Sequence, residues 1–232
     1  MNIKNVKVTE VGPRDGFQSE KKILKTEDKI SIINELIDAG FPRIEVSSFV
    51  SPKAIPQLAD AEIILSKVKR SPNTTLAALV PNARGAIRAV EANLDEIVVF
   101  LSASESHNKK NVNRNVDESL IGFREIADIA GKNNIPIQGD IATAFGCPFE
   151  GNVPSKRLAE ISKEYKEMGF KGVTLGDTTG MATPPVVTDA INAIRDAVPD
   201  FSITLHFHNT RGIGLANVMS GLYQGITDYE SC

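Results

Sequence analysis

The chain has little cysteine, no long apolar run and no strong charge of either sign. Cys147 and Cys232 are its only cysteines in 232 residues, too few for the disulfide framework of a small secreted domain. No apolar stretch approaches the roughly 20 residues that span a bilayer. The first five residues run straight toward a strand without a signal-like apolar segment. With 26 Lys and Arg against 29 Asp and Glu, the net charge is -3, which argues against nucleic acid or a membrane surface as partner. These absences point to a reducing compartment, most simply the cytoplasm. What is present, 41% hydrophobic and 24% charged residues, describes an ordinary globular protein.

Histidine is scarce too, at three residues, yet two of them stand together in Thr204-Leu205-His206-Phe207-His208-Asn209-Thr210-Arg211. Side chains alternate faces along a strand, so His206 and His208 point the same way and can reach one metal ion. An apolar run from Phe201 precedes them and Gly212 follows, which sets the pair at the C-terminal end of a strand. The alternative is two histidines that merely flank a buried Phe207.

Strand and helix patterns alternate along the chain. Strands are predicted at 6–11, 43–48, 75–80, 96–101, 135–142, 172–175, over the His pair, and from 226. Helices are predicted from Thr26, whose hydroxyl could cap it, to Gly40, then over 60–69, 82–92, 116–132, 155–168, 185–197 and 214–224. The polar segment 102–115 reads as a long loop, with His107 exposed on it. Eight strands alternating with helices predict an α/β fold, a parallel (β/α)₈ TIM barrel forming one catalytic domain over 1–232. A doubly wound sheet is the runner-up. Arg14, Asp15, Glu45, Asp177, His206 and His208 all fall at or just past strand C-terminal ends, which converge only in a barrel. Asp15 then joins His206 and His208 as a two-imidazole, one-carboxylate site. Mixed nitrogen and oxygen ligands fit several divalent ions, Mg²⁺, Mn²⁺, Co²⁺ and Zn²⁺ among them, so ligand type does not settle which. Arg14, permanently charged beside it, suits a substrate that develops negative charge on oxygen.

Five segments then carry a resemblance: Glu10-Val11-Gly12-Pro13-Arg14-Asp15-Gly16-Phe17-Gln18, the stretch from Ile44 to Lys53, Phe145 to Gly151, Gly176 to Gly180, and His206 to Thr210. In order and spacing the chain resembles the hydroxymethylglutaryl-CoA lyases of the metal-dependent lyase and Claisen-condensing superfamily. The resemblance implies a retro-Claisen lyase that splits a 3-hydroxyacyl-CoA, most simply 3-hydroxy-3-methylglutaryl-CoA, into acetyl-CoA and acetoacetate. It implies Asp15, His206 and His208 as metal ligands and Arg14, Asp15 and Glu45 as the catalytic set, with Asp15 the candidate base. Lys21, Lys110 and Asn111 would lie toward the CoA end, while Gln18, Ser48, Asp177 and Thr178, with Arg14, complete the expected substrate contacts. Asp177 reads equally well as a structural acid, and Cys147 as a small residue in a tight loop.

Asn209, Arg211 and Gln138 depart from the pattern, which leaves a related substrate such as citramalyl-CoA open. A condensing synthase and a non-catalytic metal- or CoA-binding barrel fragment are the other readings, and homo-oligomerisation is left open. The sequence ends inside strand eight, before the expected last helix. The resemblance implies a further Gly-rich loop with a cysteine acid and an asparagine ligand. The expectation is therefore a chain incomplete at its C-terminus.

Overall fold

A computed structural model describes residues 5–232. Its eight strands hydrogen-bond in chain order as a closed parallel barrel. They are β1 Lys7–Glu10, β2 Arg43–Ser48, β3 Thr75–Leu79, β4 Glu96–Ser102, β5 Ile137–Ala142, β6 Gly172–Asp177, β7 Ser202–Phe207 and β8 Asp228–Ser231. Sequential order and closure correspond to the expected TIM barrel and exclude the doubly wound sheet. The longer helices are α1 Thr26–Asp38, α2 Ala61–Lys67, α3 Ala83–Glu91, α4 Glu105–Val112, α5 Val116–Lys132, α6 Ser155–Glu167, α7 Pro184–Ala197 and α8 Gly214–Tyr223. Contacts divide the chain into two compact units, one built chiefly of 100–124 and 138–229, the other of 7–99, 125–137 and 230–232.

In the second of these, β2 pairs with β1 and β3, and the backbone N–H of Val11 donates to Ser231 O at 2.8 Å. Ile44, Glu45, Val46 and Ser47 are all buried, as expected of a parallel strand covered on both faces. Helix α1 turns Lys29, Ile33 and Ile37 inward at i, i+4 and i+8. Lys29 is 1% exposed, and its Nζ donates to both Asp60 oxygens at 2.9 and 3.0 Å. Thr26 does not cap this helix. Lys25 occupies the cap position and the Thr26 hydroxyl donates to Asp60 Oδ2 at 2.8 Å.

In the first unit, β6 and β7 pair in register from Gly172 with Ser202 to Asp177 with Phe207. Tyr165 of α6 is fully buried, with its ring centroid 5.0 Å from that of Phe170. A Cβ on Gly139 would stand 2.3 Å from the Tyr165 ring, so only glycine fits under that aromatic. The expected loop at 102–115 contains helix α4 instead. Ser104 caps it by accepting from the His107 N–H at 3.1 Å, and Asn113 ends it in the left-handed conformation. His107 is accordingly half-buried on a helix, with Nδ1 2.7 Å from Ser102 Oγ.

Candidate metal centre and active site

The turn after β1 carries the first half of the site. Pro13 fixes its entry and the backbone coils through a single wide turn, Gly12–Gly16, in which Val11 O accepts from Arg14 N and Asp15 N at 3.0 and 2.7 Å. Arg14 and Asp15 are thereby held by backbone bonds. The Arg14 Nε and Nη2 donate to Glu45 Oε1 and Oε2 at 2.8 and 3.3 Å, and Nη1 donates to Asp15 Oδ1 at 2.8 Å. Burial by itself would lower the Arg14 pKa, but the charges of Glu45 and Asp15 outweigh it and hold the guanidinium firmly protonated. Burial pushes Glu45 up, against the opposing pull of Arg14, and Glu230 pushes it further.

The end of β7 carries the second half. His206 lies in the strand, whereas His208 lies one residue beyond Phe207, where the strand ends. Alternation nonetheless turns both rings together, and their Nε2 atoms are 3.1 Å apart. In the neighbouring strand Asp177 is buried and its Oδ1 accepts from the backbone N–H groups of Met181 and Ala182 at 2.7 and 2.9 Å. These bonds shape the loop after β6. Burial raises the Asp177 pKa, against those two donors and the charges of Arg211 and His206. Gly180 in that loop has φ +63°, and a Cβ there would meet Thr210 at 2.5 Å. Glycine therefore brings the β6 loop against the segment that follows the His pair.

One ligand atom from each of Asp15, His206 and His208 lies within 4.8 Å of the others, and all three residues are half-buried. The donor set fits a divalent cation. Two nitrogens bound at right angles about 2.1 Å from one ion stand about 3.0 Å apart, close to the observed Nε2 separation.

The remaining expected residues are less uniform. Ser48 is buried, donates to Leu79 O at 3.2 Å and accepts from Val50 N, so its hydroxyl shapes the β2 loop. Thr178 Oγ1 accepts from Thr143 N at 3.0 Å. Gln18 lies half-buried in the one-turn helix Phe17–Ser19, and Lys21 is exposed just beyond it. Lys110 and Asn111 are exposed on α4, with Lys110 Nζ 4.7 Å from the Phe149 ring centroid. Gln138 is buried and donates to Thr174 Oγ1 at 3.1 Å. Cys147 is buried, its Sγ 3.0 Å from Ser104 Oγ, in keeping with its reading as a small loop residue. Cys232, by contrast, has its Sγ 4.0 Å from Asp15 Oδ2, and burial with the Asp15 and Glu10 charges raises its pKa.

Sequence reasoning missed Arg43, Glu96 and Glu230. Arg43 Nε donates to Glu96 Oε1 at 2.8 Å and Nη1 to Glu230 Oε1 at 3.3 Å, and both carboxylates are 2% exposed. Charged residues at the first positions of β2 and β4 and within β8 were the available signal.

A sequence model of the family described as HMGL-like matches residues 5–232. The hydroxymethylglutaryl-CoA lyase of Bacillus subtilis is 43% identical over 227 residues, which cover 98% of this chain and 76% of that protein. The mitochondrial hydroxymethylglutaryl-CoA lyase of Homo sapiens is 40% identical over 228 residues, covering 98% and 70%. Among solved structures, an HMG-CoA lyase from Acinetobacter baumannii in complex with coenzyme A and 3-methylmalate superposes with a TM-score of 0.94 at 40% identity. That match covers 100% of this chain and 76% of the other.

Proposed function

The chain belongs to the HMGL-like family, and from that premise and the site's geometry we propose that it cleaves 3-hydroxy-3-methylglutaryl-CoA to acetyl-CoA and acetoacetate. The reaction is a carbon–carbon lyase step that uses a divalent cation. Two relatives carry the name hydroxymethylglutaryl-CoA lyase, and a third was solved with coenzyme A. The observation that carries the reading to this chain is the clustering of Asp15, His206 and His208 beside an arginine already pinned on two sides.

Asp15, His206 and His208 would hold the ion; Mg²⁺ or Mn²⁺ is proposed from the family resemblance, since a mixed nitrogen and oxygen set suits Co²⁺ and Zn²⁺ as well. When bound, the ion supplies a Lewis acid that makes the substrate's tertiary hydroxyl easier to deprotonate. Asp15 takes the hydroxyl proton. The electron pair left on that oxygen forms the ketone of acetoacetate as the adjacent carbon–carbon bond breaks, and the bond's electrons pass to the acetyl-CoA fragment as an enolate. Arg14 meets the negative charge that collects on the thioester oxygen, and a proton delivered to carbon completes acetyl-CoA. Glu45 keeps the guanidinium aimed, because its two oxygens take Nε and Nη2 together and leave little freedom of rotation. Gln18, Asp177 and Thr178 belong to the acyl end of this proposal, and Lys21, Lys110 and Asn111 to the CoA end. No helix among the described residues is long and apolar enough to cross a membrane. The cytoplasm remains the proposed compartment, on the strength of two cysteines that are both free.

Equilibrium dialysis with Mn²⁺ tests the ion's place. Asp15→Ala and His206→Ala should each weaken binding at least tenfold, since each removes one of three protein ligands. Unchanged affinity in both variants would end the assignment.

A further inference from the structure

The loop between β6 and α7 is tied down on both of its sides. Toward β5, Thr178 Oγ1 accepts from Thr143 N at 3.0 Å and Thr179 Oγ1 donates to Gly146 O at 3.3 Å. Within the loop, Gly180 N donates to Asp177 O at 3.0 Å, and Asp177 Oδ1 takes the N–H groups of Met181 and Ala182. Toward β7, Asn217 Nδ2 of α8 donates to Ala182 O at 3.1 Å, and Arg211 Nη1 donates to Gly180 O at 2.5 Å. Thr210 packs on the same glycine, in the space a Cβ would need. Two consecutive residues of the segment after the histidine pair therefore grip Gly180, one by contact and one by a charge-assisted bond. Gly180 is buried and Arg211 is exposed, so an accessible side chain satisfies the carbonyl of a buried residue. Arg211 in turn projects from a fixed turn. Asn209 O accepts from Gly212 N and Asn209 Oδ1 from Gly214 N, both at 3.0 Å.

The consequence of this grip reaches Asp177. Its Oδ1 is taken up by the loop, whereas Oδ2 is buried and has no hydrogen-bond partner among the described residues. The direction of Oδ2 depends on the two N–H groups that hold Oδ1, and those belong to the peptides that follow Gly180. We propose that Arg211 is a positioning residue for Asp177: by holding Gly180 O it fixes the peptides of 180–182, and through them the aim of Oδ2. This rests on the reading of Asp177 as part of the acyl end of the site. An arginine that only touched the substrate would leave the loop of the free protein unchanged when removed.

Wild type, Arg211→Met and Arg211→Lys test it, and the exposed side chain leaves the core untouched in both variants. Amide hydrogen exchange at Met181 and Ala182 in the substrate-free protein reports their bonds to Asp177 directly. Exchange there should be at least tenfold faster in Arg211→Met and within threefold of wild type in Arg211→Lys, whose ammonium can still donate to Gly180 O. Unchanged exchange in Arg211→Met would overturn the proposal. With hydroxymethylglutaryl-CoA and Mn²⁺, Arg211→Met should lose about tenfold or more in kcat, since a group misplaced by about 1 Å can cost about 10²-fold. KM should stay within threefold and Mn²⁺ affinity within twofold, and Arg211→Lys should keep kcat within threefold. A loss confined to KM, with kcat unchanged, would make Arg211 a substrate-binding residue and overturn the positioning role. A wild type without lyase turnover would sink the functional reading, while the exchange rates would still decide whether Arg211 holds the peptides that aim Asp177.

Discussion

Replacing Glu45 by glutamine keeps the side chain's volume and removes its charge, at the one residue that binds Arg14 with two bonds. The new amide oxygen could accept from Nε, but its amide nitrogen would face Nη2, donor against donor. The structure therefore loses one charge-assisted bond, weakens another, and leaves a largely buried guanidinium with Asp15 as its one directly bonded carboxylate. Breaking a buried pair by removing one partner costs about 3–5 kcal/mol. The Asp15 bond and partial exposure of Arg14 favour the lower end, about 3 kcal/mol. For a chain of this length that corresponds to about 6–12 °C in Tm. Freed of its fork, Arg14 should also serve the transition state poorly, with kcat falling about 10²-fold and KM little changed. Urea unfolding and a coupled acetyl-CoA assay measure the two effects. A Glu45→Gln variant as stable and as active as wild type would refute the reasoning that Glu45 holds Arg14.

Arg14→Lys keeps the charge but not the fork, so kcat should fall about 10²-fold, and a normal kcat with only a raised KM would make Arg14 a binding residue. Lys29→Met strands Asp60 and should cost about 2–4 kcal/mol in urea unfolding, most of it recovered when Asp60→Asn is added. Gly180→Ala should cost about 1–3 kcal/mol through its left-handed backbone and the Thr210 clash, read as a lower Tm.

The fold was legible because the periodic signals were strong. The β2 strand was expected at 43–48 and runs Arg43–Ser48, and α5 was expected at 116–132 and runs Val116–Lys132. Helix α4 was not legible from periodicity, since Glu105–Val112 has almost no apolar face to bury. Its signals were the cap at Ser104 and the two lysines in its last turn, both weaker than a hydrophobic stripe. Thr26 shows the reverse error. A capping residue type stood at a helix start, but Asp60, distant in sequence, took its hydroxyl. The grouping of Asp15 with His206 and His208 was readable from alternation in β7 and the turn after β1. The Arg43, Glu96 and Glu230 network was not, because alternation tells which face a residue takes but not which strand across a barrel supplies its partner.

The central claim is tested most directly by incubating the protein with 3-hydroxy-3-methylglutaryl-CoA and Mn²⁺ and measuring both products. Acetyl-CoA and acetoacetate should appear in equal amounts. Turnover should vanish with EDTA, return when Mn²⁺ is restored, and be absent from His206→Ala at the same ion concentration. Cleavage that survives EDTA and His206→Ala alike, or no cleavage with the ion present, would contradict the account.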